Sequence, residues 1–303
     1  LSLNVGITHD ESHNYFVWEL NKNKIFNLIF GSNFNVSSLN SYHGFYGVGF
    51  YFFSETIGVL TNTILKFFIN FDTSNILLGK HTSVFLFFFI SGLYFKKIIY
   101  LITRDIRFSY LSTIFYFFYP YLLGHSLFNV KDVPFMSLWL VCTYLLIDIL
   151  KNYLKKNEIK LTKIILISFL TAYLFSIRIS GILIFLQYFI FLFIFLTVFK
   201  LNLTDFAKKI YKKIIQFLIF FLFFLYIFYP NFWDKPLNFI NALLFMSQHV
   251  QTVCTITLGE CMKAQNLPSS YLPIWFFFKL PILIILGFIL FPFCEKKIFS
   301  NKN

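Results

Sequence analysis

The chain has 303 residues, of which 58% are hydrophobic and 13% charged, and phenylalanine alone supplies 47. Soluble domains carry about 25% charged residues, so the polar coat of a water-soluble globule is missing, while abundant Phe, Ile and Leu exclude a disordered chain. Four cysteines are too few for a disulfide scaffold. A net charge of +13 would indicate nucleic acid only if the basic residues formed one soluble face. They fall instead in loops between apolar runs, which predicts an all-α polytopic membrane protein.

In chain order, residues 1–83 read as an outer-face first loop with interfacial helices. Leu1 to Ile7 resembles the tail of a hydrophobic segment, so a span preceding Leu1, or a non-standard start, is expected. Gly47 to Ile69 is apolar but interrupted by Glu55 and Lys66, which suits an interfacial or re-entrant helix pair. Residues 84–229 form a bundle of six helices, because each run is long enough to cross about 30 Å of hydrocarbon. These runs are Val84 to Thr103, Phe108 to Leu123, Pro134 to Leu150, Leu161 to Ser176, Gly181 to Phe199 and Ile214 to Tyr229. Residues 230–271 form a second outer-face loop with an amphipathic helix over Leu237 to Met246. Residues 272–303 supply a seventh span, Leu272 to Phe293, and a basic inner tail.

Charge orients the bundle. Seventeen of the 26 basic residues lie on one side, among them Arg104, Arg107, Lys151, Lys155, Lys156, Lys160, Lys208, Lys209, Lys212 and Lys213, with five acids beside them. The other side balances eight basic with eight acidic residues. By the positive-inside rule the basic side is cytoplasmic or its organellar equivalent, and the net charge is topology rather than a nucleic-acid footprint. Phe, Tyr, Ile, Asn and Lys have AT-rich codons. Their abundance fits a streamlined bacterium or an organelle genome, so the expected location is a bacterial inner membrane or an organellar one such as the mitochondrial inner membrane.

Four polar stretches on the outer side carry the candidate chemistry. Thr8 to His13 places Asp10 and Glu11 between His9 and His13. Such carboxylates could act as a base or hold a divalent cation, or belong to an ordinary solvated loop. Asn129 to Phe135 contains Lys131, Asp132 and Pro134, where Asp132 also reads as a helix cap. Arg178 stands in a short turn between spans; an arginine there is costly unless paired and is well shaped for phosphate, or else contacts lipid head groups. The loop from Pro230 to Pro273 carries Lys235 and His249, and Cys254 with Cys261 could form a disulfide in an oxidising compartment. Cys142, inside a span, reads as a small apolar residue. No phosphate-binding glycine loop, dinucleotide fingerprint or paired-histidine zinc motif is present. The mid-membrane polar residues Gln187, Gln216 and Lys279 are too few to suggest a transporter.

The order of these motifs resembles the GT-C superfamily of membrane glycosyltransferases. The nearest likeness is the branch holding protein O-mannosyltransferases and lipid A aminoarabinose transferases. The resemblance rests on the acidic pair Asp10–Glu11, on Asp132-Val133-Pro134-Phe135 at the outer start of a later span, on Arg178, and on the loop from Trp233 to Pro273. It implies a polyprenyl-phosphate sugar donor, drawn from the membrane lipid, used on the outer face. In that reading Asp10 is the base, while Glu11 and Asp132 support it or hold a divalent cation. Arg178, Lys131 and Lys235 hold the lipid phosphate, and His13 and His249 contact the acceptor. The alternative is a non-catalytic hydrophobic subunit of a large membrane complex, perched on partner membrane subunits and built on a degenerate transferase fold, perhaps organelle-encoded.

Overall fold

The computed structural model describes residues 9–40, 42–68, 76–248, 255–257, 259–263, 266–282 and 284–290. They fall into two compact units, Leu1–Leu243 and Leu244–Asn303. The first unit holds α1 (His9–Phe30), α2 (Gly49–Phe68), α3 (Ile76–Thr103), α4 (Ile106–Phe118), α5 (Pro120–His125), α6 (Asp132–Leu154), α7 (Leu161–Ile177), α8 (Leu183–Val198) and α9 (Leu203–Phe228). Short 3-10 turns at Ser37–Asn40, Tyr42–Phe45, Ile179–Ile182 and Pro230–Phe232 join them. Helix α10 (Asn238–Gln248) leads into the second unit. There β1 (Thr255–Thr257) pairs antiparallel with β2 (Glu260–Met262), and α11 (Tyr271–Lys279) follows.

Among the described residues four helices are long and apolar enough to cross a membrane: Gly79–Thr103, Asp132–Leu154, Ile179–Val198 and Leu203–Phe228. The shorter apolar α7 packs among them, chiefly against α9 and α6. Large apolar side chains such as Phe118, Phe189 and Phe193 point outward, a surface that water would aggregate and lipid accepts. The chain is an integral membrane protein.

Seven uninterrupted spans are not found. The run expected over Phe108 to Leu123 is divided between α4 and α5. Pro120 lacks an N–H and holds Tyr119 in an extended conformation, which ends the first helix. The last run is two helical pieces bent by 108°, Tyr271–Lys279 and Ile284–Leu290, with extended Leu280 before Pro281; residues 291–303 lie outside the described residues. If that bent pair counts as one span the number of spans rises to five. Within the run from Gly47 the structure has one continuous helix, α2 (Gly49–Phe68), in place of the expected pair. Its Thr56, Thr61 and Thr63 hydroxyls donate to carbonyls four residues back, so polar side chains are accommodated without a break.

Interhelical hydrogen bonds occur where apolar packing alone would leave helices free to slide. Ser91 bonds Tyr116 at 2.7 Å, Thr171 bonds Tyr188 at 2.9 Å, and the Ser168 hydroxyl donates to the Phe217 carbonyl at 3.1 Å. Gln187 accepts from the Trp139 indole and donates to Thr143 at 2.7 Å. This mid-membrane glutamine is helix glue. At the basic end three turns share one device. Arg104, Lys156 and Lys200 follow helix C-termini with φ of 58°, 55° and 49°, a region usually given to glycine. Cations there offset the negative end of the helix dipole, so charge prevails over conformational ease. Arg104, Lys151 and Phe199 line one cleft, which gathers these turns at one end of the bundle.

Helices α2 and α3 touch backbone to backbone, since a Cβ on Gly79 would collide with the Cα of Gly58. Gly79→Ala is expected to destabilise the protein by about 1–3 kcal/mol through overpacking. Gly124, with open space around the equivalent position, should accept alanine without loss. Chemical unfolding in detergent micelles checks both.

Candidate functional site

The end of the bundle opposite the basic turns gathers side chains from four parts of the chain. Helix α6 begins there, and Asn129 starts it: its Oδ1 accepts from the N–H of Asp132 at 2.8 Å and of Lys131 at 3.2 Å. Asp132 therefore does not cap its own helix. Its carboxylate is committed to Arg178, which donates through Nη1, and to Asn129 Nδ2 at 3.2 Å. Arg178 itself ends α7 in extended backbone. The pair is roughly half exposed, so Arg178 meets its expected need for a partner at an aqueous end rather than in hydrocarbon.

The segment before α2 closes over this pair. Cβ atoms on Gly47 and Gly49 would strike the carbonyl and side chain of Ser176, two residues before Arg178, so only glycine lets the chain pass this close. That approach sets Tyr46 beside Lys131, whose ammonium lies 5.1 Å from the ring centre. Tyr46 in turn meets His13 edge to face at 5.0 Å, and His13 Nε2 hydrogen-bonds His43 Nδ1 at 3.1 Å. Asn231 donates to the carbonyls of Gly44 at 2.9 Å and Leu39 at 3.4 Å, which ties this segment to the turn after α9.

Helix α1 is anchored by a buried polar pair that sequence reasoning did not identify. Glu11 accepts from His81 Nε2 at 2.8 Å, with both side chains almost wholly excluded from solvent. The adjacent Lys80 lies 3.4 Å from the centre of the Tyr15 ring and 5.2 Å from that of Tyr51. Burial, then the hydrogen bond and charge of Glu19, push the Tyr15 hydroxyl up to about 12, which keeps the ring a neutral seat for the ammonium. At the far end of α1, Lys24 pairs with Asp234 at 2.7 Å. A titratable Lys80–His81 pair at the very start of an apolar span was the legible signal for this anchor. His43 and Tyr46, in a short polar stretch without a motif, offered none.

Of the residues expected to act, the structure brings together His13, Lys131, Asp132 and Arg178. Asp10 lies in the first turn of α1, but its side chain is outside the described residues. Glu11 faces His81 rather than Asp132, so the two carboxylates do not share a ligand. Among the described residues no three His, Cys, Asp or Glu side chains converge as metal ligands, and no step below is routed through a cation. Lys235 is exposed and, among the described residues, its side chain makes no contact with this cluster. His249 and Cys254 lie outside the described residues. Cys261 is held in a disulfide, and Cys142 is a free, fully buried cysteine.

Within the bundle, between α2, α3, α6, α7 and α9, lies a cavity of about 480 Å³, walled by aromatic rings that include Phe53, Phe87, Phe169 and Phe228. Ser137 and Tyr173 also line it, and their buried hydroxyls have no hydrogen-bond partner. Each lies five residues along its helix from Asp132 or Arg178, about 7.5 Å further along the axis and on a different face of the helix.

His81→Ala removes the Nε2 hydrogen bond to the buried Glu11 carboxyl and is expected to cost about 3–5 kcal/mol. Glu11→Gln, whose amide oxygen still accepts from Nε2, should cost less. Thermal unfolding of the two variants side by side checks the order.

Comparison with family models, with curated proteins and with solved structures finds no match to this chain.

Proposed function

We propose that this protein transfers a sugar from a polyprenyl-phosphate donor at the end of the bundle opposite its basic turns. The observation that carries the reading is a polar cluster with a carboxylate, a guanidinium, an ammonium and two imidazoles at one end of a bundle that also holds an aromatic cavity, where two buried hydroxyls lack a partner among the described residues. A donor of this class has the matching shape, a charged head above an apolar tail.

In this reading Arg178 and Lys131 receive the lipid phosphate. Departure of the phosphate builds negative charge on oxygen, and preplaced cations stabilise that charge without reorganising. Asp132 holds the guanidinium in place until the donor arrives. Asp10 removes the proton from the acceptor hydroxyl as it attacks the anomeric carbon, which requires a base within hydrogen-bond reach. The buried Glu11–His81 pair positions the first turn of α1 on which Asp10 stands. His13, bonded to His43, faces the acceptor side. The aromatic cavity takes the first isoprene units, whose flat, branched carbons pack well on rings.

The test uses the full chain reconstituted in liposomes with a series of polyprenyl-phosphate sugars, reading release of the lipid phosphate, which is common to every sugar. Asp10→Asn is expected to slow release by about 10²–10⁴-fold. Arg178→Ala should abolish it while shifting stability by no more than about 1 kcal/mol, because the Asp132 pair is exposed. Wild-type protein that is folded yet inert towards every donor, or an unimpaired Asp10→Asn, overturns the proposal and leaves the non-catalytic subunit.

A further inference from the structure

The basic end of the bundle carries a second cavity, independent of the site above. It lies between α6, α7, α8 and α9, has a volume of about 260 Å³, and is walled almost entirely by apolar side chains such as Leu150, Ile167, Leu192 and Phe217. At its rim it meets a polar cleft of about 560 Å³ lined by Lys156, Asn157, Glu158, Lys209 and Lys213. Tyr153, Ile159, Ile210 and Lys213 line both spaces, so the apolar slot opens through a basic mouth.

The sequence of α9 builds this arrangement. Phe206, Ile210, Lys213 and Phe217 recur at the spacing of one helical face, and all four line the slot. Lys209 stands one turn before Lys213, so two like charges are held on one face at some cost. Lys156 reaches the same mouth from the left-handed turn that closes α6. Among the described residues none of these three ammonium groups has a carboxylate within ion-pair distance. Lys163, at the same end, is by contrast bonded to Asp148. Glu158 is the acid that lines the cleft, and it pairs with none of the three lysines. A need for positive charge on this side explains lysines scattered over the loops. It does not explain three lysines without ion-pair partners among the described residues converging on the opening of an apolar slot.

We propose that this is a binding site for an anionic glycerophospholipid of the leaflet at the basic end. The phosphate lies among Lys156, Lys209 and Lys213, and one acyl chain enters the slot between α8 and α9. Charge selects the class: a zwitterionic headgroup would bring its own ammonium against the three lysines, whereas an anionic one does not.

The experiment is native mass spectrometry of the full chain released from nanodiscs of equal phosphatidylglycerol and phosphatidylcholine. Wild-type protein should retain phosphatidylglycerol preferentially. The double variant Lys209→Gln/Lys213→Gln should weaken retention about 30-fold, and Lys208→Gln/Lys212→Gln, which removes as much charge from the same helix away from the mouth, should retain the lipid. Ile214→Trp, which fills the slot from a half-exposed position, should lower retention with all charges intact. Equal losses in the two lysine pairs would reduce the effect to general surface charge and overturn the proposal. So would undiminished binding by Ile214→Trp, or equal retention of phosphatidylcholine by the wild type. Far-ultraviolet circular dichroism of each variant confirms that retention is read on folded protein.

Discussion

The passage of Gly47 and Gly49 across the last turn of α7 decides where the polar end of this protein is built, because no residue with a side chain could follow that path against Ser176. With the passage in place, Tyr46 stands over Lys131, and the segment that carries His43 is drawn towards α1. Arg178 ends the helix against which the glycines pack, so its pairing with Asp132 is set at the same junction. Three further ties hold the covering segment down: Glu11 to His81, Asn231 to Gly44, and Lys24 to Asp234. In lipid, where apolar contact gives no preference among helix faces, such close approaches and polar bonds set the arrangement.

The two ends of the bundle use charge differently. At the basic end Arg104, Lys156 and Lys200 stand at helix C-termini, which favour cations even at the conformational cost of a left-handed backbone, while Lys163 pairs with Asp148 and Lys96 lies over Tyr110. At the other end cations are matched with acids or rings: Arg178 with Asp132, Lys24 with Asp234, Lys80 with Tyr15, Lys131 with Tyr46. This division explains how one chain can present a poised polar cluster on one side and a lipid-facing cationic mouth on the other. Neither feature depends on the other.

The buried Glu11–His81 pair shows how misleading a motif can be when it is read along the chain. Asp10 and Glu11 look like one acidic unit, but adjacent residues on a helix point about 100° apart. Glu11 turns inward to α3, where it hydrogen-bonds the buried His81, and it serves as an anchor. Asp132 shows the converse. Its position before Pro134 suggested a cap, yet Asn129 takes that task and leaves the carboxylate to Arg178. In both cases the deciding contact is with a residue 46 or 70 positions away.

Apolar runs, their length and the distribution of lysine and arginine were legible from the chain alone, because a bilayer demands them of each segment separately. Membrane insertion, the apolar helices and the helical stretch after Pro236 all followed from such local terms. The number of continuous spans did not, since whether a run bends at Pro120 or Pro281 depends on what packs around it. Nor did the pairing of His81 with Glu11, the roles of His43 and Tyr46, the aromatic cavity within the bundle, or the slot behind Lys213. Those are products of helices meeting at chosen depths, and hydropathy carries no information about which face of one helix meets which face of the next.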